Sequence, residues 1–175
     1  GKAHPKDEEG KYFISEILSY TEDPALKNKI IFLENYELDV AKKLVHGCDV
    51  WLNNPRRPLE ASGTSGMKVI VNGGLNFSIL DGWWAEAYNP DYGWKIESVE
   101  SKDEMSTEAR DWFEVNSMYS VLESELLPTF YYRNPQKIPV QWVQKIKNSI
   151  RDLAEVYKDR KSVVVGKECR SRWSP

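Results

Sequence analysis

Residues 6–20 place Phe13, Ile14, Ile17 and Leu18 at helical spacing behind Asp7, Glu8 and Glu9, which suit a first turn, so the pattern predicts an amphipathic helix. Asp23-Pro24 breaks it. Residues 29–33 are then a β-branched and aromatic run of the kind that forms a buried parallel strand. Val40, Ala41, Leu44 and Val45 restore helical spacing as far as Gly47, a natural stop. Residues 49–52 predict a second strand. Asn53-Asn54-Pro55-Arg56-Arg57-Pro58 follows as a loop, its two prolines excluding regular structure. A helix is expected to begin near Thr64 and run through Val71 until Asn72-Gly73-Gly74 ends it. Residues 75–80 alternate as a third strand. Further on, Trp112, Val115, Tyr119, Leu122 and Leu126 mark a long helix over 106–130, and Trp142, Ile146, Ile150, Leu153 and Tyr157 mark another over 139–157. Strands alternating with helices predict an α/β fold, a Rossmann-like parallel sheet with flanking helices, and ligands beyond the carboxyl ends of its strands.

Chemistry concentrates where the 53–58 loop meets the next helix, in Pro58-Leu59-Glu60-Ala61-Ser62-Gly63-Thr64-Ser65-Gly66-Met67-Lys68. Small and hydroxyl residues at a helix start expose backbone N–H groups, which with the helix dipole favour an anion such as phosphate. Lys68, four residues beyond Thr64, lies about one turn along the same face, within reach of a group docked there. A lysine beside a phosphate cradle suggests pyridoxal phosphate. The alternative is a structural helix cap followed by a surface lysine, a common arrangement. Glu60 is a carboxylate that can accept hydroxyl groups or else pair with Arg56 or Arg57. No second carboxylate is placed by sequence to complete a glycosidase pair. Trp83 and Trp84, with Tyr88, Tyr92 and Trp94 nearby, form either a sugar-stacking platform or, the favoured reading, a cap on the core beneath a long loop.

Composition narrows the classes. A chain of 175 residues with 41% hydrophobic content can bury one sizeable core, and no apolar run reaches a membrane span. Net charge of −3, without a basic stripe, argues against a nucleic-acid footprint. Cys48 and Cys169 form no metal-ligand spacing, and with no leader ahead of the first helix a reducing cytoplasmic setting is expected. Cys48 is expected as a small buried hydrophobe. His4 and His46, unpaired with other ligand residues, read as surface or loop positions and give no metal site. Residues 159–175 carry no apolar period and resemble translated adapter sequence, so a non-native tail is expected there. That stretch holds five basic and two acidic residues, and setting it aside makes residues 1–158 more acidic.

Read with Ile31-Phe32-Leu33-Glu34-Asn35-Tyr36 upstream and Asn72-Gly73-Gly74-Leu75 downstream, the Glu-Ala-Ser-Gly-Thr block ending in Met67-Lys68 closely resembles the C-terminal domain of the α-glucan (glycogen, starch, maltodextrin) phosphorylases, from Gly1-Lys2-Ala3 to about Tyr157. The resemblance implies the pyridoxal-phosphate-bearing lobe of a two-lobed glycosyltransferase of the GT-B type, truncated, with residues 1–158 a partial domain whose upstream half and basic phosphate-binding motif lie outside it. It implies retaining phosphorolysis of α-1,4-glucan or maltodextrin by phosphate to glucose 1-phosphate, and it leaves room for a homo-oligomeric full-length enzyme. This chain alone is then expected to be inactive.

Carried over by position, Lys68 bears pyridoxal 5'-phosphate, Thr64 and Ser65 hold its phosphate, and Glu60, Ala61, Ser62 and Gly63 bind the glucosyl unit. Tyr36 lies near the cofactor ring, unless it is a core tyrosine. Two departures stand out. Animal and plant enzymes usually have Gly-Asn in place of Ser65-Gly66, and arginine in place of Glu37; with Trp51-Leu52-Asn53-Asn54-Pro55, these variants resemble the bacterial and archaeal branch. The rivals are a cofactor-free retaining glycosyltransferase of the glycogen-synthase kind and a non-catalytic glucan-binding module built on the tryptophan-rich loop.

Overall fold

The computed structural model describes residues 2–99 and 105–158; the adapter-like stretch 159–175 and Cys169 lie outside the described residues. The chain clusters into two compact units that divide between Leu44 and Val45. In the first, helix α1 (Glu8–Glu22) starts where the Asp7 side chain accepts the Gly10 N–H at 2.8 Å, with Glu8 and Glu9 in its first turn. None of its residues is buried. Helix α2 (Leu38–Gly47) stops at the glycine that the pattern marked.

The strand expected over 29–33 does not form. The amides of Lys29 and Ile30 donate to the Leu26 carbonyl at 2.9 and 3.1 Å, closing a turn instead of entering a ladder, and Ile31 is 71% exposed. A buried parallel strand needs neighbours for its backbone groups, and this run has no described strand beside it.

The second unit carries a parallel sheet in the order β1 (Val50–Asn53), β2 (Leu75–Ile79), β3 (Gly93–Ile96). Between its strands run α3 (Thr64–Ile70) and α4 (Gly82–Ala87). All five residues of β2 are buried, the alternating polar positions Asn76 and Ser78 included, so β2 is a central strand covered on both faces. On one side Leu75, Phe77 and Ile79 pack with Trp94, Ile96, Leu126 and Trp142. On the other, Met67, Ile70, Trp83, Trp84, Ala87 and Leu153 form a second cluster. Each Leu, Ile, Phe or Met among them contributes about 1.5–3 kcal/mol on full burial.

Trp83 and Trp84, with rings 5.0 Å apart, are 7% and 1% exposed, and the Trp84 indole N–H donates to the Trp94 carbonyl at 3.2 Å. The core reading of these residues holds, and no open stacking platform exists at the pair. β3 went unrecognised in the sequence because Trp94 was read as part of the loop.

The two long helices form with altered registers. Helix α5 (Thr107–Val121), capped by Ser106, passes through a π turn (Leu122–Leu126) into α6 (Leu127–Tyr131). Along α5 the expected apolar stripe faces outward, with Trp112 72% exposed and Tyr119 52%, while Arg110 is buried. Helix α7 (Val140–Ser149) likewise enters a π turn (Ile150–Ala154) before α8 (Glu155–Tyr157). The wider turn shifts the register, leaving Ile150 exposed and Leu153 buried. Cys48 is half-buried rather than fully so, burial pushing its thiol upward. None of the described helices is long and apolar enough to cross a membrane.

Candidate functional site

The site is assembled at the carboxyl ends of β1 and β2. After β1 the chain enters the 54–59 loop, where the Leu59 N–H donates to the Arg56 carbonyl at 2.8 Å and the Arg57–Pro58 peptide is cis. Beyond the end of β2 stands Asp81. Its carboxylate accepts the Glu60 N–H at 2.8 Å with one oxygen and the Gly82 N–H at 2.9 Å with the other. One side chain therefore caps α4 and fixes the backbone of Glu60. Next along, the Trp83 N–H donates to the Ser62 carbonyl at 2.9 Å. Gly82 has φ +53°, and a Cβ there would lie 2.5 Å from the Ser62 carbonyl oxygen, so the close approach of these two turns requires glycine.

Gly63 starts α3 in the left-handed region, φ 75°, and no side chain caps the helix. The first amides of α3 are thus left for an acceptor from elsewhere. A Cβ on Gly63 would collide with the Glu60 carboxylate, which therefore folds over the helix start. From one turn further on, the Lys68 amine reaches back to Thr64 Oγ1 at 3.4 Å, as the four-residue spacing predicts. Thr64 and Lys68 are exposed, Ser62, Gly63 and Ser65 half-buried, and Ala61 exposed. Gly66 packs α3 onto the sheet: a Cβ would strike Asn76 Oδ1 and lie 2.9 Å from the Trp83 ring, and Asn76 Nδ2 donates to the Gly66 carbonyl at 3.2 Å.

Burial pushes the Glu60 carboxyl above its ordinary range, and the charge of Asp81 adds to the effect. Arg56 forms its ion pair with Asp111 at 2.5 Å and not with Glu60. The group of residues can accept hydroxyls at Glu60, donate from backbone amides at the α3 start, and present an amine at Lys68. A cleft of about 470 Å³, whose lining includes Asn54, Arg56, Asp111 and Glu114, opens where Ile79 and Ile96 end β2 and β3; neither Glu60 nor Lys68 lines it.

Tyr36, more than a third exposed, belongs to the first unit, whereas this constellation belongs to the second. His4 and His46 are exposed, His46 in the last turn of α2. Sequence reasoning missed Asp81, although an acidic residue followed by glycine just past a strand end was a usable signal. It also missed Arg110 and Glu114, which read as ordinary polar positions of a helix.

The family described as carbohydrate phosphorylase matches residues 1–156. Among similar proteins, the maltodextrin phosphorylase of Thermococcus litoralis is 46% identical over 93% of this chain and 19% of its own length. The glycogen phosphorylase of Mycobacterium tuberculosis is 43% identical over 87% of this chain and 18% of its own. That of Aquifex aeolicus is 42% identical over 92% and 22%. The chain therefore spans about a fifth of the length of these relatives.

Proposed function

Because this chain belongs to the carbohydrate phosphorylase family, we propose that it forms the cofactor-bearing and sugar-binding part of an α-1,4-glucan phosphorylase, within the C-terminal lobe of a GT-B enzyme. The reaction is retaining phosphorolysis of glycogen or maltodextrin to glucose 1-phosphate. The observation that carries this reading is the Lys68 amine turned back to Thr64 Oγ1 over a helix start that no side chain caps.

The donor set fits pyridoxal phosphate. Uncapped amides and the Thr64 and Ser65 hydroxyls suit a phosphate, and the exposed Lys68 amine suits covalent attachment of an aldehyde. When bound, the group supplies a phosphate that exchanges a proton with substrate phosphate. Glu60, with Ala61, Ser62 and Gly63, orients the glucosyl unit: the carboxylate accepts sugar hydroxyls, and Asp81 holds the Glu60 backbone so that one ring orientation is preferred. Tyr36 enters as a neighbour of the cofactor ring on the resemblance alone.

The family match favours this reading over a nucleotide-sugar transferase, and the burial of Trp83 and Trp84 disfavours a glucan-binding module built on them. In the full-length enzyme containing this chain, Lys68→Ala should abolish glucose 1-phosphate formation from maltodextrin and phosphate while the thermal melting curve stays close to wild type. Wild-type turnover by the purified, cofactor-stripped variant would refute the proposal.

A further inference from the structure

Outside the phosphorylase signature, the most heavily buried charged side chain among the described residues is Arg110, on the first turn of α5 and 6% exposed. Its Nε donates to Glu114 Oε1 at 2.9 Å, and its Nη2 donates to the Arg57 carbonyl at 2.7 Å, across 53 positions of sequence. The same Nη2 lies 3.4 Å from Ser98 Oγ, and the Ser98 hydroxyl donates to Glu114. Asp111, the next residue of α5, takes Arg56 in an ion pair at 2.5 Å. Two consecutive residues of the helix thus grip two consecutive residues of the loop. The Arg56 carbonyl in turn accepts the Leu59 N–H, and Glu60 follows, its own N–H on Asp81.

Burying a guanidinium is costly, and apolar packing would serve stability alone as well or better. What the guanidinium adds is direction, since its planar fork holds one carbonyl and one carboxylate at fixed angles. We propose that Arg110 is a positioning residue for Glu60: it clamps the 54–59 loop to α5, so that the loop is held from the α5 side by Arg110 and from the β2 side by Asp81. The inference rests on the phosphorylase reading for what Glu60 holds, but not for where the loop is held.

The test has two arms. Arg110→Gln removes the reach to Arg57 but strands Glu114, so Arg110→Gln with Glu114→Gln is the main variant, leaving no unpaired buried charge. In this 175-residue chain, amide hydrogen exchange at Leu59 and Glu60 should quicken by about tenfold or more in the double variant, with Phe77 and Ile79 of β2 unchanged. Equal acceleration at all four amides, or none, would overturn the clamp. In the full-length enzyme the same variant should lower kcat by about ten- to a hundredfold, the scale of a misplaced orienting contact. The KM for phosphate should stay within about twofold, because the clamp acts on the loop that carries Glu60 and Glu60 is assigned to the sugar. Arg110→Lys, which keeps a charge but one point of contact, should recover part of kcat. Unchanged kcat beside a loosened loop would also overturn the positioning role. Normal turnover by Lys68→Ala would instead fail the phosphorylase reading, and the exchange result would still decide the clamp.

Discussion

Glu60 is the residue whose environment makes the most specific demand. Its carboxyl is held above the ordinary value of 4.5 by burial first and by the charge of Asp81 second. A group whose folded value is raised favours the folded state below the unfolded value and loses that contribution as pH rises through the folded value. Glu60→Gln should therefore melt higher than wild type at neutral pH, with the difference shrinking as pH falls toward 4.5 and below. In the full-length enzyme the same change should lower turnover by about ten- to a thousandfold, because an orienting acceptor is lost. Paired melts and kinetics separate the two effects, and unchanged kinetics would make Glu60 a structural residue. Gly66→Ala should destabilise by about 1–3 kcal/mol, since its methyl must displace Asn76 or Trp83, as a denaturant titration would show. At this scale the sequence made the Thr64–Lys68 pairing legible through helical periodicity alone. It did not expose Asp81, whose role comes from a backbone contact 21 positions away.

At the level of elements, hydrophobic pattern located α1, α2, β1, α3 and β2 because each carries a local period and a local stop. It failed where partners decide. The 29–33 run has strand composition but turns through its bonds to Leu26, and β3 is four residues whose identity depends on pairing with β2. The stripe Trp112, Val115 and Tyr119 marks a helix correctly but points outward in α5, because the inward positions Arg110 and Glu114 are satisfied by each other and by Arg57 and Ser98. Two tryptophans therefore differ sharply in what they support. Trp84→Ala should cost about 3–5 kcal/mol, the loss expected for a buried aromatic. Trp112→Ala in this chain should stay within about 0.5 kcal/mol. Chemical denaturation of both variants checks the contrast, and comparable losses would mean that the face assigned to solvent is packed.

Taken as a whole, the chain supplies a parallel sheet, the loop proposed to hold the sugar, a helix start that no side chain caps and the lysine proposed to hold the cofactor, within about a fifth of the length of its relatives. The proposed reaction needs a glucan, substrate phosphate and the cofactor's phosphate held together away from water. The 175 residues alone should accordingly release no glucose 1-phosphate from maltodextrin, and activity in that sample would refute the division of labour. The proposed cofactor attachment comes down to one atom, the amine of Lys68. A rival exists on chemical grounds, for burial pushes the Lys145 amine below the ordinary lysine range. Borohydride reduction of the full-length enzyme, followed by peptide mapping, should leave a stable pyridoxyl group on Lys68, the C=N bond having been reduced to a secondary amine that hydrolysis no longer releases. A label on Lys145 or any other lysine, with Lys68 unmodified, would contradict attachment at Lys68.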